Sequence, residues 1–183
     1  MPSASSPALR RIRTLARCVR AMCLLGMGTL LALPLLFWTQ PDWVEQTARQ
    51  SWNIGEHAMQ LDGAARLAGF AAGLAPLGLA LAALWQIWRL FGCYARAEVF
   101  SARASRHLLR LAQAVIALAP ALPLGHTLAV LALTWRNPPG QRLLVFGLSS
   151  QHYLALLLGL VLLAMALVMR EAQRMAQENA EFV

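Results

Sequence analysis

Residues 67–88 read LAGFAAGLAPLGLALAALWQIW and contain no charged side chain. As a helix rising 1.5 Å per residue, this stretch is about 33 Å long, which matches the hydrocarbon core of a bilayer, roughly 30 Å thick. Backbone N–H and C=O groups in that core have no water to bond to, so a helix that pairs them internally is the expected conformation. The stretch therefore predicts a transmembrane helix.

Three further apolar stretches flank this one. Of the residues in the chain, 58% are hydrophobic and only 13% are charged, and the mean hydropathy is +0.53. Soluble domains are about one quarter charged, so this composition excludes an ordinary soluble domain. We predict an all-α integral membrane four-helix bundle over residues 18–183, preceded by a basic tail at 1–17, with spans at about 19–38, 67–88, 108–135 and 154–169.

Two of these stretches depart from the ideal span length. Residues 108–135 make about 40 Å of helix, so we expect a tilt, a bend at Pro120 and Pro123, or a start outside the bilayer. Residues 154–169 are short and could gain length from 143–148 or from the helix after Arg170.

The first span has the basic and apolar regions of a secretory signal, but no small-residue cleavage site follows it, which favours an uncleaved anchor. Two arginines, Arg20 and Arg110, lie in the first turns of their spans. We expect their long stems to reach back to the headgroups.

The arginines fall mainly on one side of this arrangement. All sixteen basic residues are arginine. Ten lie in the N-terminal tail, the inner connection 89–107 or the C-terminal tail helix 170–183, and Arg20 and Arg110 lie on the same side, in the first turns of their spans. The four others lie in the outer connection 39–66 and after the third span, so the two sides carry +8 and zero net charge. The positive-inside rule then predicts a bacterial plasma (inner) membrane protein with both termini in the cytoplasm.

The connections contain recognisable helix starts. In the outer connection, Asp42 and Glu45 after Pro41 resemble a capping box at the start of a short helix, which we expect to rest on the lipid surface. In the inner connection, Ser101 is a candidate N-cap for the helix that enters the third span. The tail after Arg170 continues the helical period of the fourth span.

The inner side offers a candidate face for a cytoplasmic partner or for lipid. Anionic lipids of the inner leaflet attract arginine near the membrane surface, and a cytoplasmic regulatory protein is the second partner considered. Although the pI is about 11.2, these arginines flank spans instead of covering a soluble module, so no direct nucleic-acid binding is predicted. The face comprises Arg89, Arg96, Arg103, Arg106, Arg110, Arg170 and Arg174.

Two motifs of the inner side carry a resemblance. The EVFS of Glu98 to Ser101, the basic helix after it, and the closing MREAQRMAQENAEFV of Met169 to Val183 resemble a family of small bacterial four-span membrane proteins of unknown function. The resemblance is best over Leu84 to Val183. Its members are often encoded beside a small helix-turn-helix regulator, which implies a role in membrane-linked regulation. The family has no established catalytic residues.

His126 is the most prominent polar residue inside a predicted span. Ionisable residues within a membrane are functional hypotheses by default, and Gln113 could join His126 in a polar track. Such a track would suit a small oligomeric transporter or channel, which is the alternative function. The structural explanation, favoured here, is that a neutral His126 bonds to Thr127 or to a carbonyl freed by the prolines.

Ala65, Gly69 and Gly73 form a stripe of small residues at four-residue spacing in the second span. Such stripes let helices approach closely in membranes. Packing within the chain is the favoured interpretation, and a homo-oligomer is the alternative.

Catalytic and cofactor patterns are missing from the sequence. Cys18, Cys23 and Cys93 form no C-x-x-C pair, and no phosphate loop, H-E-x-x-H or G-x-S-x-G motif occurs. We therefore predict a non-enzymatic protein that has no catalytic, cofactor-binding or metal-binding residues and acts through partner binding on its cytoplasmic face.

Overall fold

The structure is a computed structural model and describes residues 7–52, 54–55, 57–59, 61–96, 98, 101–138 and 141–181, with side chains from 12 to 178. Over these residues it contains five helices and no strand. The predicted all-helical protein with four apolar helices long enough to cross a membrane is thereby confirmed. The helices are α1 Pro7–Thr39, α2 Pro41–Ser51, α3 Gly63–Ala95, α4 Ala102–Thr134 and α5 Ser150–Glu181.

The four long helices extend beyond the predicted spans. α1 starts at Pro7, so the described part of the basic tail is helical and continuous with the first span. α3 and α4 have 33 residues each, about 50 Å by the helical rise. Only residues 96–101 separate them, so most of the predicted inner connection is helix.

The helix starts show which capping predictions were right. Ser101 caps α4 as predicted, since its Oγ accepts a hydrogen bond of 3.1 Å from the N–H of Ala104. The capping box predicted for α2 is wrong: Pro41 opens the helix, and Gln40 precedes it without a side-chain cap bond. Proline suits the first helical position because its φ is preset and its missing N–H would be unpaired there. Glu45 instead pairs with Arg49 at 2.9 Å.

The long helices pack in the order α1, α3, α4, α5. Among the described residues, α1 and α5 have no comparable contact with each other, so the predicted bundle is an open row. α3 and α4 are the two inner helices of this row, and α4 is the more buried of them: 39% of its most apolar 18-residue window is buried, compared with 17% for α3, 6% for α1 and 11% for α5. The outer faces of α1 and α5 therefore remain apolar and exposed.

Small residues set how closely these helices approach. The indole of Trp38 occupies the place where a Cβ on Gly69 would stand. A Cβ on Gly125 would lie 3.0 Å from Pro76 Cγ, and one on Gly159 would lie 2.6 Å from Ile116 Cγ1. Each of the three contacts between neighbouring long helices thus includes a glycine that leaves room for a bulkier partner.

α2 packs its apolar face against the protein. Val44 and Ala48 are fully buried, together with Ile54 and with residues of α3 and α4. We expected this face to rest on lipid. It instead covers the adjoining ends of α3 and α4. The amphipathic sequence of α2 fits an apolar protein surface and a lipid surface equally well, so the sequence alone does not distinguish them.

Residues 141–149 form no helix and run beside α4. The N–H of Leu143 donates to Thr134 Oγ1 at 3.2 Å, and the Thr127 hydroxyl lies 2.8 Å from the Val145 carbonyl oxygen. This segment does not lengthen the fourth span, since α5 starts at Ser150 and gains its length beyond Arg170.

We predict that Gly159→Ala destabilises the protein by about 1–3 kcal/mol, because the added methyl group overpacks the contact with Ile116. The matched control is Gly78→Ala, since nothing lies within 4 Å of a Cβ at Gly78 and alanine favours helix by up to about 1 kcal/mol. Unfolding in detergent measures both variants. Equal stability of the two variants would contradict the close approach of α5 to α4.

Candidate functional site

One end of the helix row carries most of the arginines. The start of α1, the end of α3, the start of α4 and the end of α5 meet there, and we call this the arginine-rich end. Its arginines with described side chains are Arg13, Arg17, Arg20, Arg89, Arg96, Arg103, Arg106, Arg110, Arg170 and Arg174.

Two helix faces place these side chains opposite each other. Residues three or four apart share a helix face, and the two helices are held together here by a buried cluster that includes Leu90, Cys93, Ala104 and Leu108. The face on α3 carries Trp85, Trp88, Arg89, Gly92, Cys93 and Arg96, and the face on α4 carries Arg103, Arg106, His107 and Arg110.

Two cavities open between these faces. The first has a volume of about 220 Å³ and is lined by Arg20, Trp88, Arg89, Gly92, Cys93, Arg96, Arg103 and His107. The second has a volume of about 320 Å³ and is lined by Arg89, Arg103, Arg106, His107 and Arg110. Because Arg89, Arg103 and His107 line both, the two cavities form one basic recess, which we call the arginine recess.

Arg20 enters the recess from α1. Its guanidinium carbon lies 4.3 Å from the centroid of the Trp88 ring, which in turn stacks on Trp85 at 5.2 Å. The electron-rich face of an indole attracts a cation at this distance. Arg20 Nε is buried and has no hydrogen-bond partner among the described residues. The guanidinium that we expected to reach toward headgroups is thus held against α3.

His107 forms the floor of the recess beside α3. It is 9% exposed, and its Nδ1 lies 2.8 Å from Oε1 of Gln86. A carbonyl oxygen only accepts hydrogen bonds, so Nδ1 donates in this pair. The bond links α3 to α4 and holds the imidazole in one orientation.

Carboxylates neutralise only part of this end. Arg96 pairs with Glu98 at 3.3 Å, and Arg174 pairs with Glu171 at 2.7 Å. Among the residues that the structure describes, the other arginines of the recess form no ion pair: Arg20, Arg89, Arg103, Arg106 and Arg110. The recess therefore has a surplus of positive charge.

The end of α5 continues past the recess. Ser105 Oγ on α4 lies 3.2 Å from Gln173 Oε1, and Met169 packs against the nearby buried cluster. From Arg174 to Glu178 every side chain is exposed. Met175, 55% exposed, gives this projecting segment an apolar contact point among charged groups.

The structure does not bring His126 and Gln113 together. They are 13 positions apart on α4, about 20 Å along the axis by the helical rise, and Gln113 is exposed. His126 meets the ring of Trp52 edge to face at 5.5 Å, and the hydroxyl of the neighbouring Thr127 donates to the Pro123 carbonyl oxygen one turn earlier at 2.9 Å. The polar track through His126 and Gln113 stays a prediction.

The small-residue stripe of α3 faces its own chain at two positions. Gly69 accommodates Trp38 of α1, and Ala65 belongs to the buried cluster shared with α2 and α4. Nothing lies within 4 Å of a Cβ at Gly73. Two of the three small residues therefore serve packing within the chain.

Sequence reasoning did not assign Arg20, Trp88, Gln86 or His107 to the site. The available signal was the three- and four-residue spacing that puts Trp88 and Arg89 on one face with Trp85, and His107 on one face with Arg103. That spacing identifies each face but not which faces meet. In the described part of the chain, no group of three or more His, Cys, Asp or Glu side chains is arranged to hold a metal ion.

Four long apolar helices and a strongly charged end define a multi-pass membrane protein. A family model described as protein of unknown function (DUF2975) matches residues 52–183. This match covers more than half of the chain, which therefore belongs to that family. It confirms the resemblance to membrane proteins of unknown function and starts well before Leu84. No curated protein and no solved structure matches the chain.

We predict that Gln86→Leu destabilises the protein by about 1 kcal/mol, because it leaves the buried Nδ1 of His107 without its partner. Gln113→Leu is the matched control, since Gln113 is exposed on α4, and we expect no loss of stability there. Thermal unfolding in detergent measures both. A larger loss of stability for Gln113→Leu than for Gln86→Leu would contradict a stabilising role of the hydrogen bond between Gln86 and His107.

Proposed function

We propose that this chain is a non-enzymatic protein of the bacterial plasma membrane that binds a cytoplasmic regulatory protein through its arginine-rich end. The observation that carries the proposal is the charge surplus at this end, next to an exposed helix end. The resemblance to proteins encoded beside a helix-turn-helix regulator suggests the kind of partner. Membrane tethering would then control where that regulator acts.

The orientation follows from the same charge. Arginine is enriched in the cytoplasmic loops of membrane proteins, and the arginine-rich end holds both described helix ends nearest the termini, those of α1 and α5. We therefore place both termini in the cytoplasm. Anionic lipids would stabilise this orientation by about 1 kcal/mol for each arginine near the surface.

The end of α5 is the proposed contact surface for the partner. α5 has 32 residues, about 48 Å by the helical rise, so it is longer than the hydrocarbon core of roughly 30 Å. Its exposed Arg170, which forms no ion pair among the described residues, suits an acidic partner surface. Arg174 would share that surface with its own partners Glu171 and Glu178, and Met175 suits a small apolar pocket within it. Opposite charges steer association, while the buried apolar contact slows dissociation.

The transporter alternative has less support. It depends on His126 and Gln113, which lie about 20 Å apart along α4. His126 also has an aromatic neighbour, Trp52, in its own chain.

We predict that a membrane-impermeant maleimide applied to intact cells labels a Gln50→Cys, Cys18→Ser variant but not the wild-type chain. Gln50 is exposed on α2, and Cys18 is the exposed native cysteine, since Cys23 and Cys93 are buried. Permeabilised cells should label both proteins. Labelling of wild-type Cys18 in intact cells, with Gln50→Cys protected, would reverse the orientation.

We predict that a photo-crosslinking side chain at Met175 forms one discrete protein adduct in membranes. The same side chain at Met22, which is 72% exposed on the apolar face of α1, should form none. Arg170→Gln with Arg174→Gln should reduce the Met175 adduct at least tenfold if two charge-assisted contacts are lost. Arg142→Gln, at the other end of the molecule, is the matched control and should leave the adduct unchanged.

Two results would contradict this function. One is a Met175 crosslinker that reacts only with lipid or solvent. The other is an adduct that persists at full yield when Arg170 and Arg174 are both glutamine. Gel mobility and mass spectrometry of the adduct distinguish these outcomes.

A further inference from the structure

The arginine recess has the composition of an anion site. Guanidinium groups reach it from α1, α3 and α4, with Arg89 and Arg103 lining both of its cavities. Charge at a membrane surface requires arginines near the ends of spans, but it does not require them to converge on one recess. Their convergence therefore needs a separate explanation.

The recess lacks a carboxylate partner for most of its charge. Glu98 pairs with Arg96 at the rim, whereas Arg20, Arg89 and Arg103 form no ion pair among the described residues. Like charges that share a partly enclosed space repel each other more strongly than in bulk water, because the local dielectric is lower. A bound anion would relieve that repulsion.

Arg20 supplies a second, independent observation. Its Nε is buried without a hydrogen-bond partner in the described part of the chain, and Arg20 itself lines the first cavity. Buried donors in native proteins are normally hydrogen-bonded. The stacked Trp88 and Trp85 hold this guanidinium in place, so the donor group is positioned in advance.

We propose that the arginine recess binds a phosphate group. Guanidinium groups form paired hydrogen bonds with phosphate oxygens, and donors from three helices suit a tetrahedral anion better than a flat carboxylate with two oxygens. The first cavity, at about 220 Å³, is well above the roughly 15 Å³ that a cavity needs to hold one water. This is enough for one phosphate group and bridging waters.

Two sources present this chemistry at the recess. Trp85 and Trp88 are residues that prefer the headgroup zone of a bilayer, where the phosphate of an anionic phospholipid lies. The exposed side chains of Arg103 and Arg106 also leave the recess open to inorganic phosphate. The proposal goes beyond partner binding by α5 and does not depend on it.

The test uses the full chain purified in dodecyl maltoside, a detergent without phosphate. One arm adds inorganic phosphate, with chloride at equal ionic strength as the screening control. The other arm adds phosphatidylglycerol. Unfolding midpoint and native mass spectrometry are measured for wild type, for Arg89→Gln with Arg103→Gln, and for the matched control Arg170→Gln with Arg174→Gln.

We expect wild type and the control to be stabilised by one of the two additives, and the recess variant to bind it at least tenfold more weakly. A one-to-one phosphatidylglycerol adduct identifies the lipid as the source. Stabilisation by phosphate without a lipid adduct identifies the free anion. No stabilisation beyond chloride in either arm, or equal affinity of the recess variant and wild type, would overturn the proposal. Because this experiment contains no partner protein, its result does not depend on whether α5 binds one.

Discussion

No water reaches the hydrocarbon core of a bilayer, so every backbone N–H and C=O at that depth needs a hydrogen-bond partner inside the protein. The four long helices meet this requirement along their own axes. The non-helical segment 141–149 depends on threonines of α4: the Thr127 hydroxyl bonds to the Val145 carbonyl oxygen, and Thr134 Oγ1 accepts the N–H of Leu143. Irregular backbone is thus tolerated beside α4, because the threonine hydroxyls of α4 provide hydrogen-bond partners for it.

The same solvent explains the open row of helices. Lipid tails are as apolar as leucine side chains, so exposed apolar faces on α1 and α5 carry no hydrophobic cost in a bilayer. Close van der Waals contact between helices becomes the main source of packing energy. The glycines that admit Trp38, Pro76 and Ile116 provide that contact. α3 and α4 are the inner helices because each of them packs against two other long helices.

The arginine-rich end combines two features that a membrane surface alone does not demand. Its outer part is an exposed helix end bearing Arg170 and Arg174, suited to another protein. Its inner part is a recess where Arg20 and Arg89 lie against aromatic rings and where His107 is fixed by Gln86. The two parts use different arginines, so the two proposed binding events do not compete for the same side chains.

The sequence by itself determined the helical class, the four apolar helices and the N-cap at Ser101, because hydrophobic length, helical period and capping chemistry are local properties. It also located the arginine clusters along the chain. Only the tertiary structure decided that Arg20 approaches Trp88, that α2 covers α3 and α4, and that His126 meets the ring of Trp52. These outcomes depend on which helix faces meet, and many faces of an alanine- and leucine-rich chain are equally apolar. The physical reason is that helix pairing here depends on how a few glycines fit bulky side chains of the neighbouring helix. That fit depends on both helix surfaces, and the sequence of one helix does not show which surface it meets.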